Sequence, residues 1–161
     1  MPNFQAQNGL NPTTASFVPV TTGTVIKTLL QVATPSSTGL TIIAWGISFD
    51  GSAAATPIIC ELIQTNVAAT VTPVTPSKWG NPNDAISLCI GGASATGFTA
   101  TAEGAITATT IFDVQQIAPT NQWVYEFSLG REPVVPISKF LRIRVKAATA
   151  VNAICWIRWA E

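Results

Sequence analysis

From Lys139 to Trp159 the sequence reads KFLRIRVKAATAVNAICWIRW, and its apolar residues recur at every second position. Leu141, Ile143 and Val145 alternate with Arg142, Arg144 and Lys146, the period of a strand with one face buried and one face in water. After the AATA connection, Val151, Ala153, Cys155, Ile157 and Trp159 fall on one face, and Asn152, Ile154, Trp156 and Arg158 on the other. The stretch predicts a C-terminal hairpin whose second strand is apolar on both faces. Such a strand needs cover on both sides, from a second sheet or a neighbouring subunit. No residue in it suggests chemistry.

The rest of the chain repeats this pattern in shorter pieces. Strands are predicted at TVIKTLLQVA (Thr24 to Ala33), at LTIIAWGISF, where Ile43, Trp45, Ile47 and Phe49 share a face, and at PIICELIQT (Pro57 to Thr65). Further strands fall at TTIFDVQQ (Thr109 to Gln116) and QWVYEFSL (Gln122 to Leu129), the latter with Trp123, Tyr125 and Phe127 on one side. Ala68 to Val74 adds a short strand limited by Pro73, which cannot donate to a ladder. Gly91 to Thr107 is glycine-rich and polar, a long loop or a weak edge strand. About eight strands with turns every 8 to 12 residues point to an all-β fold, an antiparallel sandwich with jelly-roll topology. Met1 to Thr22, with three prolines and isolated Phe4, Leu10 and Phe17, has no clear period and reads as an extended arm. Residues 23–161 form the sandwich. The opening lacks the pattern of a secretory leader, and no window reaches the roughly 18 apolar residues of a membrane span. The expectation is a protein made in the cytoplasm.

Composition narrows the function. Charged residues are only 10% of the 161, against a usual share of ~25%. Eight Lys and Arg balance eight Asp and Glu, so no broad field attracts nucleic acid or anionic lipid. Near-zero charge also removes the repulsion that keeps monomers apart, which suits a permanent assembly. Histidine is absent, and with it the commonest general base and metal ligand. Cys60, Cys89 and Cys155 are too far apart for a C-x-x-C pair and read as small core residues. No S-x-x-K is present, GNPND at Asp84 lacks calcium-loop spacing, and Gly91, Gly92 and Gly97 match no phosphate fingerprint. Glu61, Glu126 and Glu132 read as partners of Arg142, Arg144 and Arg158 on an exposed sheet face, not as a glycosidase pair. Of the five tryptophans only Trp79 lies in a loop, a weak platform for a sugar. The residues predict no enzyme, no cofactor and no metal site.

The stretches WGISFDGSAAATPIICEL, IAPTNQWVYEFSLGREPVVP and SKFLRIRVKAATAVNAICWIRWAE, with the arm before TGTVIKTLLQVATP, resemble the jelly-roll capsid decoration, or cement, proteins of tailed bacteriophages. The resemblance covers nearly the whole chain as an overall pattern. It implies a homotrimer on the outer surface of a phage head, bound to the major capsid protein and located in the virion, without catalytic residues. The residues expected at subunit or capsid contacts are Phe4, Leu10 and Phe17 in the arm, with Arg131, Glu132 and Trp156. The rival is a head-fibre or tail-associated receptor- or carbohydrate-binding module, favoured by the long loop near Phe98. A major coat protein is disfavoured because the arm has no basic cluster for a packaged genome.

Overall fold

The computed structural model describes all residues from Met1 to Glu161. Its strands are β1 (Asn3–Gln7), β2 (Val20–Thr21), β3 (Lys27–Ala33), β4 (Leu40–Phe49), β5 (Ile58–Thr65), β6 (Thr70–Pro73) and β7 (Ser77–Lys78). They continue with β8 (Gly97–Ala102), β9 (Thr109–Ile117), β10 (Gln122–Glu126), β11 (Val134–Val135), β12 (Phe140–Lys146) and β13 (Asn152–Ala160), and there is no helix. One sheet has the order β10-β4-β13-β1-β7, with β11 also on β4 and β2 also on β13. The other runs β6-β8-β3-β12-β5-β9. Within these, β1-β13-β4-β10 facing β3-β12-β5-β9 is the strand order of a jelly roll. The expected antiparallel sandwich is present, with short strands added to its eight principal ones.

That topology overturns the expected terminal hairpin. β12 pairs with β3 and β5 in one sheet, whereas β13 pairs with β4 and β1 in the other. The AATA segment is therefore a corner between layers. Leu141, Ile143 and Val145 bury against the layer that presents Ala153, Cys155, Ile157 and Trp159, and none of the seven is more than 1% exposed. Two strands with complementary alternation can be neighbours in one sheet or face each other across a core, and periodicity alone does not distinguish the cases.

The extended arm is corrected as well. β1 runs along β13 from Asn3 opposite Ala160 to Gln7 opposite Trp156. Asn8 then takes the place of ladder backbone: its Nδ2 donates to the Ala153 carbonyl at 3.0 Å and its Oδ1 accepts from the Cys155 amide at 2.9 Å. β2 resumes the pairing at Asn152 and Ala153. Only residues 9–19 leave the sheet. Phe4 and Ala6 do alternate with Asn3, Gln5 and Gln7, but two apolar residues are too few to announce a strand.

The core gathers Trp45, Trp159, Phe4 and aliphatic side chains from both sheets. A bulge opposite Arg158 and Trp159 shifts the alternation of β4, so Ile42, rather than the expected Ile43, joins Trp45 and Ile47 inside. At the β9–β10 side, Asp113 ties the layers together. Its Oδ2 accepts from Trp45 Nε1 at 3.1 Å and from Trp123 Nε1 at 3.2 Å, while Gln115 donates to Oδ1 at 2.7 Å.

Arg142, expected on a wet face, is fully buried. It does point away from the sandwich core, but the β5–β6 and β8–β9 connections roof that part of the sheet. Its Nη1 donates to the Glu103 carbonyl and to Glu103 Oε2, both at 3.1 Å, and its Nη2 donates to the Val67 carbonyl. Glu103 also accepts from the Thr28 amide and hydroxyl, each at 2.6 Å. Next to it, Gln31 accepts from the Ala69 amide at 2.8 Å and donates to the Ala95 carbonyl at 2.6 Å. The two connections meet at Gly104, whose φ of +75° and approach to the Ala68 carbonyl leave no room for a side chain. Burial pulls the Arg142 guanidinium below its ordinary pKa, and Glu103 opposes that shift. Glu103→Ala would strand the cation under its roof, with an expected loss of about 3 kcal/mol in urea unfolding. Arg142→Met combined with Glu103→Ala should recover most of that loss. Additive losses in the double variant would mean that the pair is not coupled.

Candidate interaction surface

All three thiols are free and buried. Burial, reinforced by Glu61, pushes Cys60 up to about 12. Burial also raises Cys155, and raises Cys89 together with Glu161, whose Oε2 accepts from Cys89 Sγ at 3.0 Å. No three Cys, Asp or Glu side chains converge as a metal site would require. The Asn81 to Asp84 segment closes on itself as a turn, the Asp84 amide donating to the Asn81 carbonyl at 3.1 Å. Among the expected ion pairs only Glu61 with Arg144 forms, at 2.7 Å. Arg142 takes Glu103 instead, and Arg158 takes no acid at all.

Arg158 lies on the outer face of its sheet between two indoles. Its Cζ is 4.6 Å from the ring centroid of Trp79 and 4.4 Å from that of Trp156, within the range of cation–π attraction. Nε donates to Gln5 Oε1 at 2.7 Å. The stack depends on a missing side chain: a Cβ on Gly46, which faces Trp156 across the ladder, would lie 2.6 Å from the Trp156 ring. Trp79 is brought in by β7, where its amide donates to the Asn3 carbonyl at 2.8 Å. Sequence spacing places Trp156 and Arg158 on one face but carries no sign of Trp79, which arrives from a loop some 80 positions away.

The six residues expected at contacts do not form one patch. Phe4 is withdrawn from the surface: it is 1% exposed and packs against Trp159, with ring centroids 6.2 Å apart. Leu10 is exposed on the 9–19 excursion, and Phe17 is half-buried against Gly9. Arg131 and Glu132 sit in the corner between β10 and β11. Arg131 is exposed, while Glu132 accepts from the Gly130 amide at 2.6 Å and holds the turn. Trp156 is half-buried in the Arg158 stack.

Two apolar areas escape sequence reasoning. Along the open edges of β9 and β10, Ile111, Val114, Val124 and Tyr125 are exposed, and Leu129 just beyond β10 is 96% exposed. On the opposite side of the sandwich, Leu10, Pro73, Val74, Pro76, Ile86 and Ile90 line a groove of about 360 Å³. The available signal was an apolar residue where alternation or turn chemistry calls for a polar one, as at Val124 and Leu129.

No known protein family matches the chain, and neither a curated protein nor a solved structure matches it.

Two outcomes are expected here. Gly46→Val should lift Trp156 off the sheet, altering the near-ultraviolet circular dichroism and costing about 1–3 kcal/mol of stability. An unchanged spectrum would show that the stack does not rest on Gly46. In a thiol titration with Ellman's reagent, the native protein should show no fast-reacting cysteine and the urea-unfolded protein all three, because the thiolate is the reactive form.

Proposed function

We propose that this protein is a structural component of a bacteriophage virion, a decoration or cement protein that binds the outside of the head as a homotrimer. The observation that carries the reading is a jelly roll with many large apolar side chains exposed, Leu129, Ile86, Ile90 and Ile111 among them, and few charges to repel a neighbour. Exposed apolar patches on a folded domain mark interaction sites. The engagement of its thiols and of most of its acids in packing and hydrogen bonds also suits a scaffold. Such a protein acts by adding buried area across the seams between capsid subunits, each copy contributing modestly and the shell summing the effect. An interface of about 1,600 Å² is enough to hold a copy in place.

Light scattering over a dilution series should give a constant mass of three chains, and the protein should co-sediment with undecorated heads and raise their disruption temperature. Failure to bind any head, with the trimer intact, would overturn the decoration role.

A second reading rests on Trp79, which is 44% exposed beside Arg158 and Gln5 on an open sheet face. An aromatic ring flanked by polar donors and acceptors is the makings of a sugar site, as in a head-fibre or tail-associated binding module. Saturable quenching of tryptophan fluorescence by a host glycan, abolished in Trp79→Ala, would establish that reading. A flat titration would dismiss it.

A further inference from the structure

We infer that Asn8 and Gly9 form a latent deamidation site, closed in the folded subunit and open in any chain whose first strand is undocked. Of the eight asparagines in the chain, Asn8 alone is followed by glycine. Asn-Gly is the pair most prone to lose its side-chain amide, because a residue without Cβ lets its main-chain nitrogen approach the preceding side chain. The Gly9 nitrogen attacks Asn8 Cγ, the new N–C bond closes a cyclic imide, and the side-chain nitrogen leaves as ammonia with the proton of the Gly9 amide. Water from the solvent then opens the imide at either carbonyl, giving aspartate or isoaspartate.

The folded chain holds both participants away from this reaction. Asn8 has no exposed surface, and its side chain stands in for ladder backbone between β1 and β2. Its Nδ2 is held by the Ala153 carbonyl at 3.0 Å and its Oδ1 by the Cys155 amide at 2.9 Å. The Asn8 main-chain N–H is held too, donating to the Cys155 carbonyl at 3.1 Å. Ring closure would swing Cγ back over the main chain and break both side-chain bonds inside the sheet. Gly9 is buried next to it, and a Cβ there would lie 2.7 Å from the Phe17 ring. The ladder requires the asparagine and the packing of Phe17 requires the glycine, and the reactive pair follows from those two demands.

Conversion removes what the fold needs at this position. An aspartate would turn an oxygen, in place of an amide donor, toward the Ala153 carbonyl, so that two acceptors meet and a carboxylate is buried without a donor opposite it. Isoaspartate also adds a carbon to the main chain where β1 ends. Either product breaks the bridge between β1 and β2 and leaves the Ala153 carbonyl unpaired. Because β1 pairs with β13, Asn8 is unprotected until that strand is in place. A chain held open therefore loses with time the group that lets it close.

Peptide mapping by mass spectrometry tests the inference. The full chain is kept at mildly alkaline pH, either native or unfolded in guanidinium chloride, and sampled over days. Asn8 should convert at least ~10-fold faster in the unfolded chain, since conversion of the native protein waits for local opening. Equal rates, or an unfolded chain that keeps Asn8, would overturn the inference. Diluting the same samples out of denaturant reads the consequence: the share that regains the native melting temperature should fall in step with conversion at Asn8. Converted chains that refold to the wild-type melting temperature would sink it. The variant Asn8→Asp, made directly, should melt below the wild type at neutral pH, and the gap should narrow on acidification. Burial without a donor raises that carboxyl's pKa in the fold, so the deficit is full above this pKa and shrinks as pH falls through it, where the protonated carboxyl can donate to the Ala153 carbonyl. A variant that melts with the wild type at neutral pH would contradict the role given to the amide.

Discussion

The backbone pairing of β13 is the constraint around which the structure closes. Ala153, Cys155, Ile157 and Trp159 on its inner face lie in the centre of the core, and the strand that carries them has a ladder on each side. β4 supplies one along nearly its whole length. The other is pieced together from β1, the Asn8 side chain and β2. An amide side chain has the donor and acceptor of a peptide group, so Asn8 bridges the gap without leaving the Ala153 carbonyl or the Cys155 amide unpaired. The chain can then leave the sheet at Gly9 and return at Val20, and the 9–19 excursion is free to shape a surface.

A similar use of polar groups recurs where the sandwich could be weak. Asp113 gathers two indole N–H groups where the sheets end, and Glu103 with Arg142 fastens two long connections over an outer sheet face. In a chain with so few charges, the buried ones are not ornaments of a solvated surface. They satisfy backbone groups of segments too rich in glycine, alanine and threonine to hold themselves by apolar packing. The cost of burying Arg142 is offset by the carbonyl and carboxylate oxygens converging on it.

The fold class was legible because period-2 alternation can be read in the sequence of β4, β5, β10, β12 and β13, and breakers separate the strands. Layer assignment was not legible, since β12 and β13 alternate identically whether they pair side by side or pack face to face. Arg142 illustrates a second limit. Its position correctly indicates a side chain leaving the core, but alternation records only which face of the sheet is concerned, not what lies above it. The surface was harder still. Trp156 was readable as outward-facing, but its partner Trp79 arrives from a loop, and Phe4 looked like a tether because β1 has only two inward apolar residues. Leu129 read as the end of a strand running from Gln122, whereas β10 stops at Glu126 and leaves Leu129 in the turn beyond it.

The pairing of β1 with β13 also sets the order in which the molecule comes together. Phe4 and Trp159 are separated by almost the entire chain, and neither the sheet nor the core face between them exists until both strands are present. Most other strand partners are likewise distant in sequence, because a jelly roll sends successive strands to opposite layers. Closing such long loops before any contact rewards them makes folding slow. On a ribosome the β13 segment emerges after the other twelve strands, so until then the nascent chain would carry half-made sheets with open edges. The sparse apolar content of β1 then has a use: while it waits for β13, the strand offers little apolar surface to a wrong partner.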